Sequence, residues 1–183
     1  MLVRTVLVAA FALMLASCAG RMPDRIDPAF EAPYTLDAGD RLRVVVFGQD
    51  GLSNSYAVDS AGKITMPLIG AVEARGKTTS ELSGAIVGRL KGGYIREPHV
   101  AVEVESYRPF FILGEVTTAG QYAYVNGLTV ESAVAVAGGF SPRALKTGAS
   151  VARIVDGRTI HAYVPLSYPL RPGDTVTVEE RWL

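Results

Sequence analysis

The chain carries one cysteine, Cys18, and it closes an apolar run that starts at Val6. A lone cysteine excludes an intramolecular disulfide, so whatever follows must be held by a packed core alone. Arg4 gives the run a positive start, and Val6 through Leu15 form an uninterrupted stretch of the length of a secretory leader. A spanning helix needs about 20 apolar residues, so this run is too short for one. No later stretch reaches that length either.

Ala16 and Ser17 directly before Cys18 resemble the lipobox of bacterial lipoproteins. The resemblance implies cleavage ahead of Cys18, a diacylglycerol on its thiol and a third acyl chain on the new amine. Each buried methylene is worth roughly 0.8 kcal/mol and two lipid signals already anchor stably. Residues 1–17 are therefore expected to be a signal peptide, Cys18 the lipidation site, and 18–33 a lipidated tether. Ala19 to Pro33 holds three prolines, charges of both signs and little periodicity. Fifteen residues reach roughly 50 Å when fully extended. Removing the leader takes only Arg4 from the 18 basic and 18 acidic residues. That balance disfavours nucleic acid, which selects clustered basic charge.

The body reads as strands and two short helices. Gly39-Asp40 predicts a turn, after which Leu42, Val44 and Val46 alternate as in a half-buried strand. Strands are predicted over Tyr56–Asp59 and Lys63–Pro67, with Ala61-Gly62 as the tight turn between them. Thr78 and Glu81 form a capping box ahead of Leu82, Ile86 and Leu90 at helical spacing, and Gly92-Gly93 ends that helix. Val100, Val102 and Val104 alternate with Ala101, Glu103 and Glu105. A second unit follows Pro109: strands over Phe110–Val116 and Gln121–Val125, a small-faced helix around Val130–Ala137 closed by Gly138-Gly139, and strands over Val151–Val155, Thr159–Val164 and Thr175–Glu179. Pro172-Gly173-Asp174 before Val176 and Val178 echoes Gly39-Asp40 before Leu42 and Val44, which predicts one turn chemistry used twice. The expected class is α+β, in two small units.

Several constellations invite chemical readings. Gly76-Lys77-Thr78 opens a helix, but a phosphate loop needs a glycine where Ala71 stands, and Thr78 is already the cap. Glu103 and Glu105 share a strand face as an acid–base pair would, and wet strand faces carry such charges without catalysis. His99 and His161 lack metal-ligand spacing. No Gly-x-Ser-x-Gly elbow is present. No catalytic residue, metal or cofactor is therefore expected. Gly84, Gly88 and Gly92 recur every four residues and are read as packing on the unit's own sheet, with subunit contact as the alternative. Tyr56, Tyr94, Tyr107, Arg143 and Arg153 are candidates to meet sugar, or ordinary amphipathic surface.

Tyr34-x-Leu36-x-x-Gly39-Asp40-x-Leu42, Val58-Asp59-x-x-Gly62-x-Ile64-x-x-Pro67-Leu68-x-Gly70, Gly76-x-Thr78-x-x-Glu81-Leu82 and Pro98-x-Val100-x-Val102 together resemble the polysaccharide export domain. Gly114-Glu115-Val116, Gly120-x-Tyr122, Leu128-Thr129-Val130, Ala137-Gly138-Gly139-Phe140 and Arg153 resemble a soluble-ligand-binding β-grasp (SLBB) domain. With the lipobox, the whole is similar to the short form of the outer-membrane polysaccharide export (OPX) lipoproteins. The resemblance implies a small α/β-type export domain over 34–107 followed by one β-grasp-like domain over 108–183. It implies transport of capsular or exopolysaccharide without chemistry, and homo-oligomeric rings that meet an inner-membrane co-polymerase. Gly39, Asp40, Gly62, Pro67, Gly70, Gly114, Gly120, Gly138 and Gly139 fall on motif positions and are assigned to turns, with no catalytic role. Ala119 departs from the proline usual before that glycine. Longer relatives end in a pore-forming helix, so a sequence stopping at Leu183 is expected to need a separate outer-membrane β-barrel. Ala19, where inner-membrane retention favours Asp, predicts outer-membrane sorting with the body in the periplasm. The alternatives are a monomeric sugar-binding lipoprotein and a glycan-modifying enzyme using Glu103 and Glu105.

Overall fold

The computed structural model describes residues 33–155 and 157–182, so the leader, Cys18 and the tether lie outside the described residues. Within them the chain is α+β, with two separate apolar cores.

The first core forms under a three-stranded antiparallel sheet of order β2-β1-β5: β1 is Arg41–Val46, β2 Asn54–Ala57 and β5 Val100–Ser106. The alternation in β1 turns Leu42, Val44 and Val46 inward. Helix α1, Thr79–Lys91, lays Leu82, Ile86 and Leu90 against that face. Burying each of these is worth about 1.5–3 kcal/mol. Thr78 caps α1 by accepting from the Glu81 N–H at 3.3 Å, while the Glu81 carboxylate accepts from the Thr78 N–H at 2.8 Å. That reciprocal pair satisfies two donors the helix start would otherwise leave open. Ser83 donates to the Val100 carbonyl and Arg89 to the carbonyls of Ile69 and Ala71, tying the helix to both neighbours.

β3, Lys63–Met66, pairs with β4, Gly70–Glu73, as a separate two-stranded ribbon. The sequence suggests instead that Tyr56–Asp59 and Lys63–Pro67 flank one tight turn as partners. They form no ladder, since β2 pairs with β1; one backbone bond, from the Asp59 N–H to the Lys63 carbonyl at 2.9 Å, links them. The turn between them is held locally, Gly62 N–H donating to the Asp59 carbonyl and Lys63 N–H to the Asp59 carboxylate.

The second core lies beneath a five-stranded sheet of order β7-β6-β10-β8-β9. Its strands are β6 Phe110–Gly114, β7 Gly120–Tyr122, β8 Gly148–Val155, β9 Arg158–Pro165 and β10 Thr175–Val178. The central pair β6 and β10 is parallel and the other neighbours are antiparallel. Parallel strands need a long crossover, and here all of β7 through β9 supplies it. Helix α2, Val130–Val136, buries Val130, Ala133 and Val134 against Phe110, Ile112, Val151 and Val176. β7 is shorter than the expected Gln121–Val125, and beyond its end the Tyr124 hydroxyl donates to the Leu170 carbonyl.

Two glycine expectations change. Gly120 begins β7 and is no turn residue; the chain bends earlier, where Thr117 and Thr118 N–H groups donate to the carbonyls of Gly139 and Ala137. Gly84 and Gly88 do not pack on their own sheet. They lie on the exposed side of α1, and an added Cβ would meet nothing within 4 Å at either. Glycine in an exposed helix costs roughly 0.5–1 kcal/mol relative to alanine. Gly84→Ala and Gly88→Ala should each raise stability by about that amount in urea denaturation of dilute protein. A loss of stability at either position would reveal a contact that the fold does not contain.

Candidate functional site

Two four-residue turns with the same chemistry face each other where the cores meet. In the first, Asp40 N–H donates to the Asp37 carbonyl at 3.2 Å, and Asp37 N–H donates back to the Asp40 carboxylate at 2.9 Å. In the second, Asp174 N–H donates to the Arg171 carbonyl at 3.1 Å, and Arg171 N–H to the Asp174 carboxylate at 2.7 Å. The third residue is glycine with positive φ in both, +93° at Gly39 and +84° at Gly173. A turn with that φ excludes most side chains there.

Each aspartate is fully buried and takes one arginine. Arg108 donates its N–H to one Asp40 oxygen at 2.9 Å and its guanidinium to the other at 3.1 Å. Tyr34 completes this cluster by donating to Asp40 while accepting from Arg108 at 3.0 Å. Burial first, and then the hydrogen bond to Asp40, raises the Tyr34 phenol above its ordinary value, so it stays a protonated donor. Arg153 grips Asp174 with two parallel bonds of 2.8 and 2.6 Å, from a side chain of which almost nothing is exposed. Burial works to discharge Arg153, and the Asp174 carboxylate outweighs it.

Arg108 belongs to the short link between the units and threads between both turns. A Cβ on Gly173 would come within 2.7 Å of its Nε, and one on Gly39 within 3.4 Å of its Cβ. Gly173 N–H donates to the Pro109 carbonyl, and Phe111 N–H to that of Asp174. Tyr107 stands edge-on to Tyr34 at 5.4 Å and to Tyr124 at 5.3 Å, so one aromatic row crosses the junction.

The two turns border an open cleft of about 650 Å³. Arg75, Arg108, Arg153 and Arg171 line it, with Asp37, Asp174 and Tyr34. Arg75 pairs with Asp37 at 2.7 Å. Burial raises the Asp37 carboxyl, but the Arg75 hydrogen bond and the Ala38 N–H bring it below the usual carboxylate range. The lining aspartates thus already accept from arginines. The cleft offers cationic donors and no free general base among the described residues.

Other sequence candidates stay apart from it. Gly76 N–H donates to the Leu36 carbonyl and Lys77 N–H to that of Ala74, so the amides a phosphate loop would present are used. Glu103 and Glu105 lie on the exposed face of β5. No group of three or more metal-capable side chains occurs among the described residues, His99 and His161 included. Gly62, Gly70, Gly114, Gly138 and Gly139 all have positive φ, and Pro67 sits in the bend between β3 and β4. Tyr56 is buried and donates to the Leu52 carbonyl, Tyr94 is exposed, and Arg143 bridges Glu115 and Glu180. Of the scattered tyrosines and arginines singled out, only Arg153 lines the cleft. Arg75, Arg108 and Arg171 carried no sequence signal of their own beyond the repeated Gly-Asp that they surround.

Residues 28–105 match the family model described as polysaccharide biosynthesis/export protein. The chain is also 35% identical over 118 residues to the exopolysaccharide production protein ExoF of Rhizobium meliloti (strain 1021). That alignment covers 58% of this chain and 28% of the relative, so the chain spans well under half of that protein's length.

Removing one partner of a buried ion pair typically costs about 3–5 kcal/mol, whereas replacing both by apolar groups is often neutral. Asp174→Ala should therefore lose about 3–5 kcal/mol in urea denaturation, and Asp174→Leu with Arg153→Met should recover most of it. A double variant as unstable as the single one would contradict this assignment.

Proposed function

We propose that this chain, whose residues 28–105 match the polysaccharide biosynthesis/export family model, is a periplasmic component of a capsular or exopolysaccharide export machine and conducts glycan without altering it. The observation that carries this is the family match over 28–105, which takes in the whole first core from Leu36 to Leu90 and strand β5 up to its penultimate residue. The relative named for exopolysaccharide production supports the same direction. The second unit serves as an SLBB β-grasp domain beginning near Arg108. Support comes from its five-stranded sheet, parallel central pair and single covering helix.

Cys18 anchors the mature protein to the outer membrane through its lipid, with 18–33 as the tether. No helix of the described residues is long and apolar enough to cross a membrane. Copies assemble into a ring by head-to-tail contacts that close on rotation. The ring hands polymer from an inner-membrane co-polymerase to an outer-membrane β-barrel. The rival reading, a monomeric sugar-binding lipoprotein, draws on the cleft, whose volume falls in the roughly 300–1,000 Å³ range of small-molecule sites.

Deleting the gene should abolish secreted polysaccharide while leaving cytoplasmic precursors, measured by uronic-acid and hexose assay of the culture fluid. Undiminished secretion would refute the role. Cys18→Ser should move the protein from the outer-membrane fraction to the soluble periplasm, and unchanged fractionation would remove the anchor.

A further inference from the structure

We propose that the cleft between the two units binds the carboxylate of an acidic sugar, and that Arg171 is the group that receives it. Among the described residues the charges around the cleft are nearly matched one to one. Arg75 holds Asp37, Arg108 holds Asp40, and Arg153 holds Asp174. Arg171 is the fourth arginine on the lining, and among the described residues no carboxylate lies within ion-pairing distance of its guanidinium. Its backbone N–H is committed to Asp174, which fixes where the side chain starts.

Arg171 is half-buried, and burial first, then the neighbouring Arg153, weigh against its charge. A partly desolvated cation beside another cation is the place where an incoming anion gains most. Among the described residues this leaves one uncompensated positive charge, which balances a monoanion. A guanidinium fork also matches the two oxygens of a carboxylate. A phosphate dianion would leave the cleft with excess negative charge. The exposed side chains of Ile154 (63% exposed) and Pro33 supply apolar surface on the same lining, against which the C–H face of a sugar ring can lie. That the carboxylate comes on a sugar rests on the proposed export function; the anion site itself does not.

Methyl glucuronide and methyl glucoside differ at C6, a carboxylate in one and a hydroxymethyl in the other, and titrating each into the full-length protein by ligand-observed NMR tests the site. The glucuronide should bind at least tenfold more tightly than the glucoside, and its affinity should fall with added salt. Arg171→Gln should erase that preference, whereas Arg171→Lys should retain part of it, because a point charge replaces the fork. Equal binding of the two sugars, or a preference untouched by Arg171→Gln, would overturn the proposal. So would tighter binding of inorganic phosphate than of glucuronide. The wild-type comparison decides the matter even if a variant fails to fold. A protein that ignores glucuronide in a strain whose deletion abolishes secretion would sink the site and leave the export role standing; the reverse pair of results would sink the export role alone.

Discussion

The carboxylate of Asp40 is the point on which the arrangement of the two units depends. It is fully buried and accepts from the Tyr34 hydroxyl, the Asp37 N–H, and both the N–H and the guanidinium of Arg108. A buried carboxylate without such partners would cost several kcal/mol, so these donors must be delivered together. One comes from the segment before the first strand, one from the turn itself, and two from the link. With Arg108 placed, Pro109 presents its carbonyl to Gly173 and β6 starts in register with the Arg171–Asp174 turn. The second turn repeats the device with its own arginine, Arg153. The cleft and its charge follow from these two clamps.

Local features of this fold were readable in the sequence because their partners lie within a few residues. The Thr78–Glu81 cap, the alternation of β1 and the three-residue reach of each Gly-Asp turn are of that kind. The echo between the two turns was visible as a repeated pattern, and the structure gives both the same pair of backbone bonds. Partners distant in sequence were not readable. Arg108 lies 68 residues from Asp40, and Arg153 lies 21 from Asp174 across two strands. Nothing in the residues around Arg108 announces its pairing. The β3–β4 ribbon was missed for a related reason: Gly70 to Glu73 is too short and too polar at its ends to show a period. Gly84 and Gly88 misled in the opposite sense, since their spacing suggests packing on the unit's own sheet and an added Cβ at either meets nothing within 4 Å in this chain.

Two buried ion pairs are an expensive way to stabilise a chain of this size, and apolar replacements often match them in energy. Their value here lies in direction. A hydrophobic junction between the cores would tolerate sliding, whereas four bonds to one carboxylate, with Arg108 held between two glycines, allow one geometry. A junction of fixed shape also keeps the cationic donors of the cleft where they are. Among the described residues, Arg171 is then the one arginine of the lining without a carboxylate partner.

The coupling of the two units through Asp40 is tested most directly by differential scanning calorimetry of the purified protein and of Asp40→Asn. The wild-type protein should unfold in one transition, with calorimetric and van't Hoff enthalpies equal. Asp40→Asn should split that transition into two, as each core melts alone. Two transitions in the wild-type protein, or one undivided transition in the variant, would contradict a junction held by this carboxylate.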